Sequence, residues 1–259
     1  KNFRFKDKIS EIIRFISNFY IYFSPLMNLT FLTSKKIIVS SKDNFNKISK
    51  LYQKKAKIIF ATRLIKKISE KPINIKLNYK KEFKILFVGR LESWKGINIL
   101  LETFYKLNKL NSKKTFKLLI RGDGPLKQNI KEFITTKKLR NKIILLPRQK
   151  NLINLYSKAS IFFFPSLRET GGMALLESMS IGIPPAVINN GGPGFIVKTN
   201  CGIVVDCINK NENQIIDAFA DRIYKLSNNT NKAALFSKNS HKRVDEFIWN
   251  TKLLDIYNL

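Results

Sequence analysis

Eight short apolar runs, rich in β-branched or aromatic residues and bounded by charge or turn residues, limit what this chain can fold into. They are KIIVS (36–40), KIIFA (57–61), KILFV (84–88), FKLLI (116–120), KIILL (142–146), SIFFF (160–164), PAVI (185–188) and GIVVD (202–206). Most are apolar at consecutive rather than alternate positions, the mark of strands covered on both faces. Helical patterns fill the gaps: Gly96 to Leu110, Leu126 to Lys138, Leu152 to Lys158, Met173 to Ile181, Asn213 to Leu226, and a last run from Lys232. Strand–helix alternation calls for parallel strands joined by right-handed crossovers, so the expected fold class is α/β with a doubly wound parallel sheet.

The stretch Lys71 to Glu82 interrupts this rhythm. It is basic, contains Pro72, and separates two strands from the six that follow. Read as a linker, it divides the chain into residues 1–75 and 76–259. The second part holds a complete six-stranded domain with carboxyl-terminal helices. The first has two strand–helix steps, too few for a sheet core of ordinary size, and reads as the last part of an incomplete amino-terminal α/β domain. Phe15 to Ser34 carries no charge, but Pro25 and scattered Ser, Thr and Asn point to a surface-seeking helix or buried connector rather than a membrane span.

Composition narrows the partners. Lys and Arg number 48 against 18 Asp and Glu, a formal net charge of +30. The lysines are spread evenly, as a compositional bias would leave them, and an anionic membrane surface is the next reading. Nucleic acid is not expected, since no basic element is interleaved with stacking aromatics. Cys201 and Cys207 make neither a disulfide framework nor a metal spacing, and His241 is the single histidine, read as a helix-surface residue. A reducing, cytoplasmic setting follows.

Ligands of such sheets bind beyond the carboxyl ends of the strands. After KILFV comes GRLESWKG, where Arg90 and Lys95 are cations suited to a diphosphate, or ordinary solvated charge. After FKLLI comes the tight turn RGDGP (121–125), which lacks the third glycine of a dinucleotide fingerprint and so argues against a nicotinamide enzyme. After SIFFF comes PSLRETGGMALLESMSIGIP. Gly171 and Gly172 permit close backbone approach, and a helix opens at Met173. The amides of Gly172, Met173 and Ala174 lie at its positive end, where a phosphate is welcome. Glu169 in the loop and Glu177 on the helix flank that end. Two carboxylates suit the hydroxyls on either side of a phosphate, as in a nucleotide sugar; the plainer alternative has Glu169 exposed and Glu177 paired with a lysine. The NNGGPG run (189–194) is a second glycine loop, or a simple bend.

Together these residues resemble the retaining glycosyltransferases of family GT4, which have the GT-B fold. The likeness rests on Arg90, Lys95, the RGDGP turn, the E-x7-E spacing of Glu169 and Glu177, the NNGGPG loop and the Phe247–Trp249 segment, and runs from about residue 33 to the end. The resemblance implies that Arg90 and Lys95 bind the donor diphosphate and stabilise charge on the leaving group. It also implies that Glu169 holds the donor sugar, the amides of Gly172, Met173 and Ala174 meet phosphates and sugar, Glu177 holds the ribose, and the backbone near Arg148 meets the base. The donor would be a UDP- or GDP-sugar and the acceptor a saccharide or lipid-linked hydroxyl, in bacterial surface polysaccharide or lipopolysaccharide synthesis at the inner face of the membrane. No cofactor or metal is expected. Thr170, Gly171 and Gly172 stand where the family usually has Gly, an aromatic and Gly, which leaves the donor sugar open. The family's acceptor-side glycine loop and histidine have no counterpart, so the expectation is weak donor binding and little turnover by this chain alone. The competing expectation is a non-catalytic partner or membrane-associated binding protein.

Overall fold

The computed structural model describes residues 12–13, 15–17, 19–20, 23–40, 42–59, 62–73, 82–110, 114–147 and 153–249. The chain divides into two compact units, residues 1–61 and 62–259.

In the smaller unit, helical residues between 12 and 23 lead to α1 (Pro25–Thr33). Ser24 is extended, as a residue before proline must be, and Pro25 opens the helix, where its missing N–H is no loss. The polar side chains of α1 turn back on its own carbonyls: Thr30 Oγ1 donates to Leu26 O and Thr33 Oγ1 to Leu29 O, both at 2.9 Å. The helix buries none of its residues. Among the described residues no helix is long and apolar enough to cross a membrane. β1 (Ile37–Val39), α2 (Lys42–Lys47), α3 (Lys50–Gln53) and β2 (Ala56–Ile58) follow. β1 and β2 pair in parallel, Ile37 opposite Ala56, over a small core of Ile37, Ile48 and Tyr52.

The larger unit is a six-stranded parallel sheet built from β3 (Glu82–Val88), β4 (Thr115–Arg121), β5 (Ile143–Leu146), β6 (Ile161–Phe164), β7 (Pro185–Ile188) and β8 (Ile203–Val205). Their spatial order is β5-β4-β3-β6-β7-β8, with every pair parallel. The chain enters at β3, builds outward through β4 and β5, then crosses back to lay β6, β7 and β8 on the other side. Phe83, Ile85, Leu86, Phe87 and all four residues of β6 are buried, because helices cover both faces. The helices are α4 (Ile97–Lys109), α5 (Lys127–Thr136), α6 (Ile153–Tyr156), α7 (Met173–Ser180), α8 (Gly191–Ile196), α9 (Glu212–Ser227) and α10 (Thr230–Arg243). A capping box of Asn211 and Gln214 starts α9.

Three expectations need correction. First, residues 62–73, assigned by the 75/76 division to the amino-terminal part, pack on the larger unit. Leu64 donates to Phe247 O at 2.9 Å and accepts from Trp249 N at 2.8 Å, and Ile73 N donates to Ile181 O at 3.0 Å. Second, His241 is no surface residue: it is buried, its Nε2 3.0 Å from Ser69 O, because this same segment covers it. Third, most of NNGGPG is helix, with Asn190 as N-cap of α8.

Candidate functional site

The strand order reverses between β3 and β6. Such a reversal is where doubly wound sheets bind ligands, beyond the carboxyl ends of the strands. The loops that border it are locked to one another by backbone. Behind β3, Gly89 N donates to Arg121 O and Leu91 N to Asp123 O, so the RGDGP turn is fastened alongside. A Cβ on Gly122 would stand 1.9 Å from Gly89 O, which fixes glycine at that position. A 3-10 turn (Ser93–Lys95) then leads to Gly96, whose φ of +72° starts α4. A side chain on Gly96 would also meet Pro165 O at 2.0 Å. Trp94 O accepts from Leu167 N at 2.8 Å and from Ser166 Oγ at 3.2 Å, latching the loop after β3 to the loop after β6. The start of α8 closes the set. Gly192 N donates to Glu169 O at 2.8 Å, and Asn190 Nδ2 to Leu167 O at 2.7 Å.

This latch brings Lys95 and Glu169 together. Their side chains form an ion pair, each only 17% exposed, and the Lys95 ammonium lies 5.4 Å from the centre of the Phe164 ring. The pair is therefore screened less than a surface pair. Gly172, with φ of +128°, is the N-cap of α7 and packs near the same Phe164 ring. By helix geometry the amides of Met173 and Ala174 have no acceptor within α7, and its first turn holds no acidic residue. Met173 is exposed and Ala174 half-buried. The Gly171 backbone leaves no room for a side chain because Thr62 Oγ1 occupies it, 1.8 Å from where a Cβ would be. Its glycine is thus explained by packing within the protein.

The other expected residues are placed differently. Arg90 is 75% exposed and pairs with Glu92, which is itself buried, rather than with Glu169. Glu177 is half-buried on the second turn of α7 and, among the described residues, pairs with no lysine. It accepts a 2.9 Å hydrogen bond from Tyr156 Oη. Arg148 lies outside the described residues. Among the described residues no group of three or more His, Cys, Asp or Glu is placed to hold a metal. Sequence reasoning passed over Trp94, Phe164 and Tyr156. Each acts through a contact with another part of the chain, which its own stretch of sequence does not reveal.

A parallel sheet with its strand order reversed between β3 and β6, and a cation and carboxylates gathered at a helix start beside it, define an α/β domain of the GT-B type. Residues 68–243 match the sequence profile of the family described as Glycosyl transferases group 1, and the chain belongs to that family. It is similar to the uncharacterized glycosyltransferase MJ1059 of Methanocaldococcus jannaschii, 25% identical over 68% of this chain and 42% of that protein. A second relative is the GalNAc-alpha-(1->4)-GalNAc-alpha-(1->3)-diNAcBac-PP-undecaprenol alpha-1,4-N-acetyl-D-galactosaminyltransferase of Campylobacter jejuni, 28% identical over 68% of this chain and 47% of that one. Among solved structures, Anabaena Alr3699/HepE in complex with UDP aligns with a TM-score of 0.72 at 18% identity, covering 89% of this chain and 65% of its own; that likeness concerns the fold. The chain spans about half the length of such curated relatives, or less.

Proposed function

We propose that this chain carries the donor side of a glycosyltransferase that moves a sugar from a UDP- or GDP-sugar to an acceptor hydroxyl with retention of configuration. The larger unit is the donor domain, and residues before 62 belong to the acceptor side. The observation that carries the reading is the Lys95–Glu169 pair beside the start of α7 at the switch point of the sheet. Lys95 would exchange its carboxylate partner for the donor diphosphate, and the freed Glu169 would accept hydroxyls of the sugar. The amides of Gly172, Met173 and Ala174 would take the remaining phosphate charge, Glu177 the ribose, and the segment at Arg148 the base. Arg90 would turn from Glu92 to the diphosphate as the bond to the sugar breaks. Charge developing on the leaving diphosphate is thus met by cations and a helix end, without a metal. The departing oxygen would assist the acceptor hydroxyl on the same face, which retains configuration. The Campylobacter relative acts on an undecaprenol-linked saccharide. That supports a lipid-linked acceptor in surface polysaccharide synthesis, at the inner face of a membrane whose anionic headgroups complement the net charge of +30.

Titration with UDP and GDP, followed by calorimetry and by hydrogen exchange over residues 168–177, tests the reading. One of the two nucleotides should bind and protect that loop. Lys95→Ala should weaken it about 10- to 100-fold, the usual worth of a charge-assisted contact. Glu169→Gln should bind the bare nucleotide about threefold tighter, because Lys95 is released, while losing any preference for the nucleotide sugar. If neither nucleotide binds, the proposal fails.

A further inference from the structure

One oxygen of Glu177 is already engaged by a group that no ligand can reach. Tyr156 ends α6 and has no exposed surface. Its ring packs edge-on against Phe162, centroids 5.8 Å apart and planes at 62°. The phenol is immobile, with only two side-chain torsions and both fixed by packing. A buried hydroxyl requires a partner, and this one donates to Glu177 Oε2 at 2.9 Å. Among the described residues nothing hydrogen-bonds to Oε1. A half-exposed glutamate on a helix samples several rotamers, and ordering it on a ligand costs binding free energy.

We infer that Tyr156 is a positioning residue: by holding Oε2 of Glu177 it pre-sets the carboxylate so that Oε1 is free to take a ribose hydroxyl. Nucleotide recognition then depends on a residue that never touches the nucleotide. The inference rests on the reading of Glu177 as the ribose ligand. Burial, and next the neighbouring Glu177 charge, hold the Tyr156 hydroxyl far above the ordinary tyrosine range, so the phenol remains the donor at any working pH. The plainer role for the same bond is to pin α6 on α7, and the two roles separate experimentally.

Tyr156→Phe keeps the ring and its packing and removes the oxygen. The full chain and this variant are titrated with UDP and 2′-deoxy-UDP, or with the guanosine pair if that is the nucleotide bound. The wild type should prefer the ribonucleotide by about tenfold. In Y156F the ribonucleotide should weaken about five- to tenfold while the deoxy form changes less than about twofold, so the preference collapses. Glu177→Gln should collapse it as well, and adding Y156F to E177Q should cost nothing more. The ratio of two ligands is independent of the fraction of protein folded, so a destabilised variant still reports. If Y156F lowers the melting temperature but keeps the wild-type ratio, the bond is structural only and the inference is overturned. If the wild type shows no ratio to begin with, it is the ribose role of Glu177 that fails.

Discussion

The two compact units use the same parts, parallel strands joined by helices, yet among the described residues only the larger one covers its sheet on both faces. In the larger unit β3 and β6 are buried on both faces, and the loops at their ends are locked by backbone hydrogen bonds. In the smaller unit two three-residue strands rest on Ile37, Ile48 and Tyr52. Leu26, Leu29, Leu32, Leu51 and Ile38 are all more than half exposed. Parallel strands need cover on both faces, and a two-stranded pair with so little buried area is marginal. The contrast teaches where the proposed donor site can be held to tight tolerances: it lies at the ends of strands that are buried on both faces.

The largest expected effect tests that contrast directly. Amide exchange in β3, β4 and β6 should be slower than in β1 and β2 by about a thousandfold or more, because local opening frees the small pair without unfolding the large sheet. Mass spectrometry on short peptides reads this. Equal protection would mean that the small unit is as well covered as the large one.

Next in size is the latch. Gly96→Ala forces a side chain onto Pro165 O at a φ of +72°, which should cost about 2–4 kcal/mol of stability. The same change should weaken nucleotide binding, because it displaces the neighbouring Lys95. Exchange in β1 and β2 should stay at its wild-type rate. Coupled loss in both units would show that they unfold as one body and erase the comparison.

How much of this could be read from the chain depends on how local each cause is. The eight strands were legible because two-faced burial writes itself into consecutive apolar residues such as Phe162, Phe163 and Phe164. Lys95 and Glu169 were legible as groups placed after strands. Their pairing was not, since it is imposed by the Trp94 carbonyl and by Gly96 backing onto Pro165. The division at 75/76 missed residues 62–73 because their partners, among them Ile181, His241 and Phe247 to Trp249, lie far along the chain. The GGPG run hid α8, since glycine and proline normally stop helices; here the glycines are demanded by the Glu169 and Thr170 carbonyls packed against them. His241 sits in a basic helix end whose cover comes from another part of the sequence. Tyr156 carries no sequence signal, because its partner Glu177 belongs to a different helix.

The smallest effect is a pH dependence that belongs to the large unit. Glu82, the first residue of β3, is 2.6 Å from Lys117 Nζ and 3.2 Å from Lys84 Nζ. The hydrogen bond from Lys117, with help from Lys84 and against some desolvation, holds its carboxyl below the usual 4.5. A depressed folded-state value means that the unfolded chain binds the proton more readily. The stabilisation is therefore complete above about pH 4.5 and lost as pH falls through the lower, folded value. About a third of the side chain is exposed, so solvent screening limits the effect to about 0.5 kcal/mol. Denaturant unfolding at pH 6 and pH 3 should show the wild type losing that much more than Glu82→Gln. Glu82 and its two lysines belong to the large unit, so exchange in β1 and β2 should respond equally to acid in both proteins. A variant that altered acid sensitivity there would show the small pair of strands opening together with the large sheet and remove the basis for treating them apart.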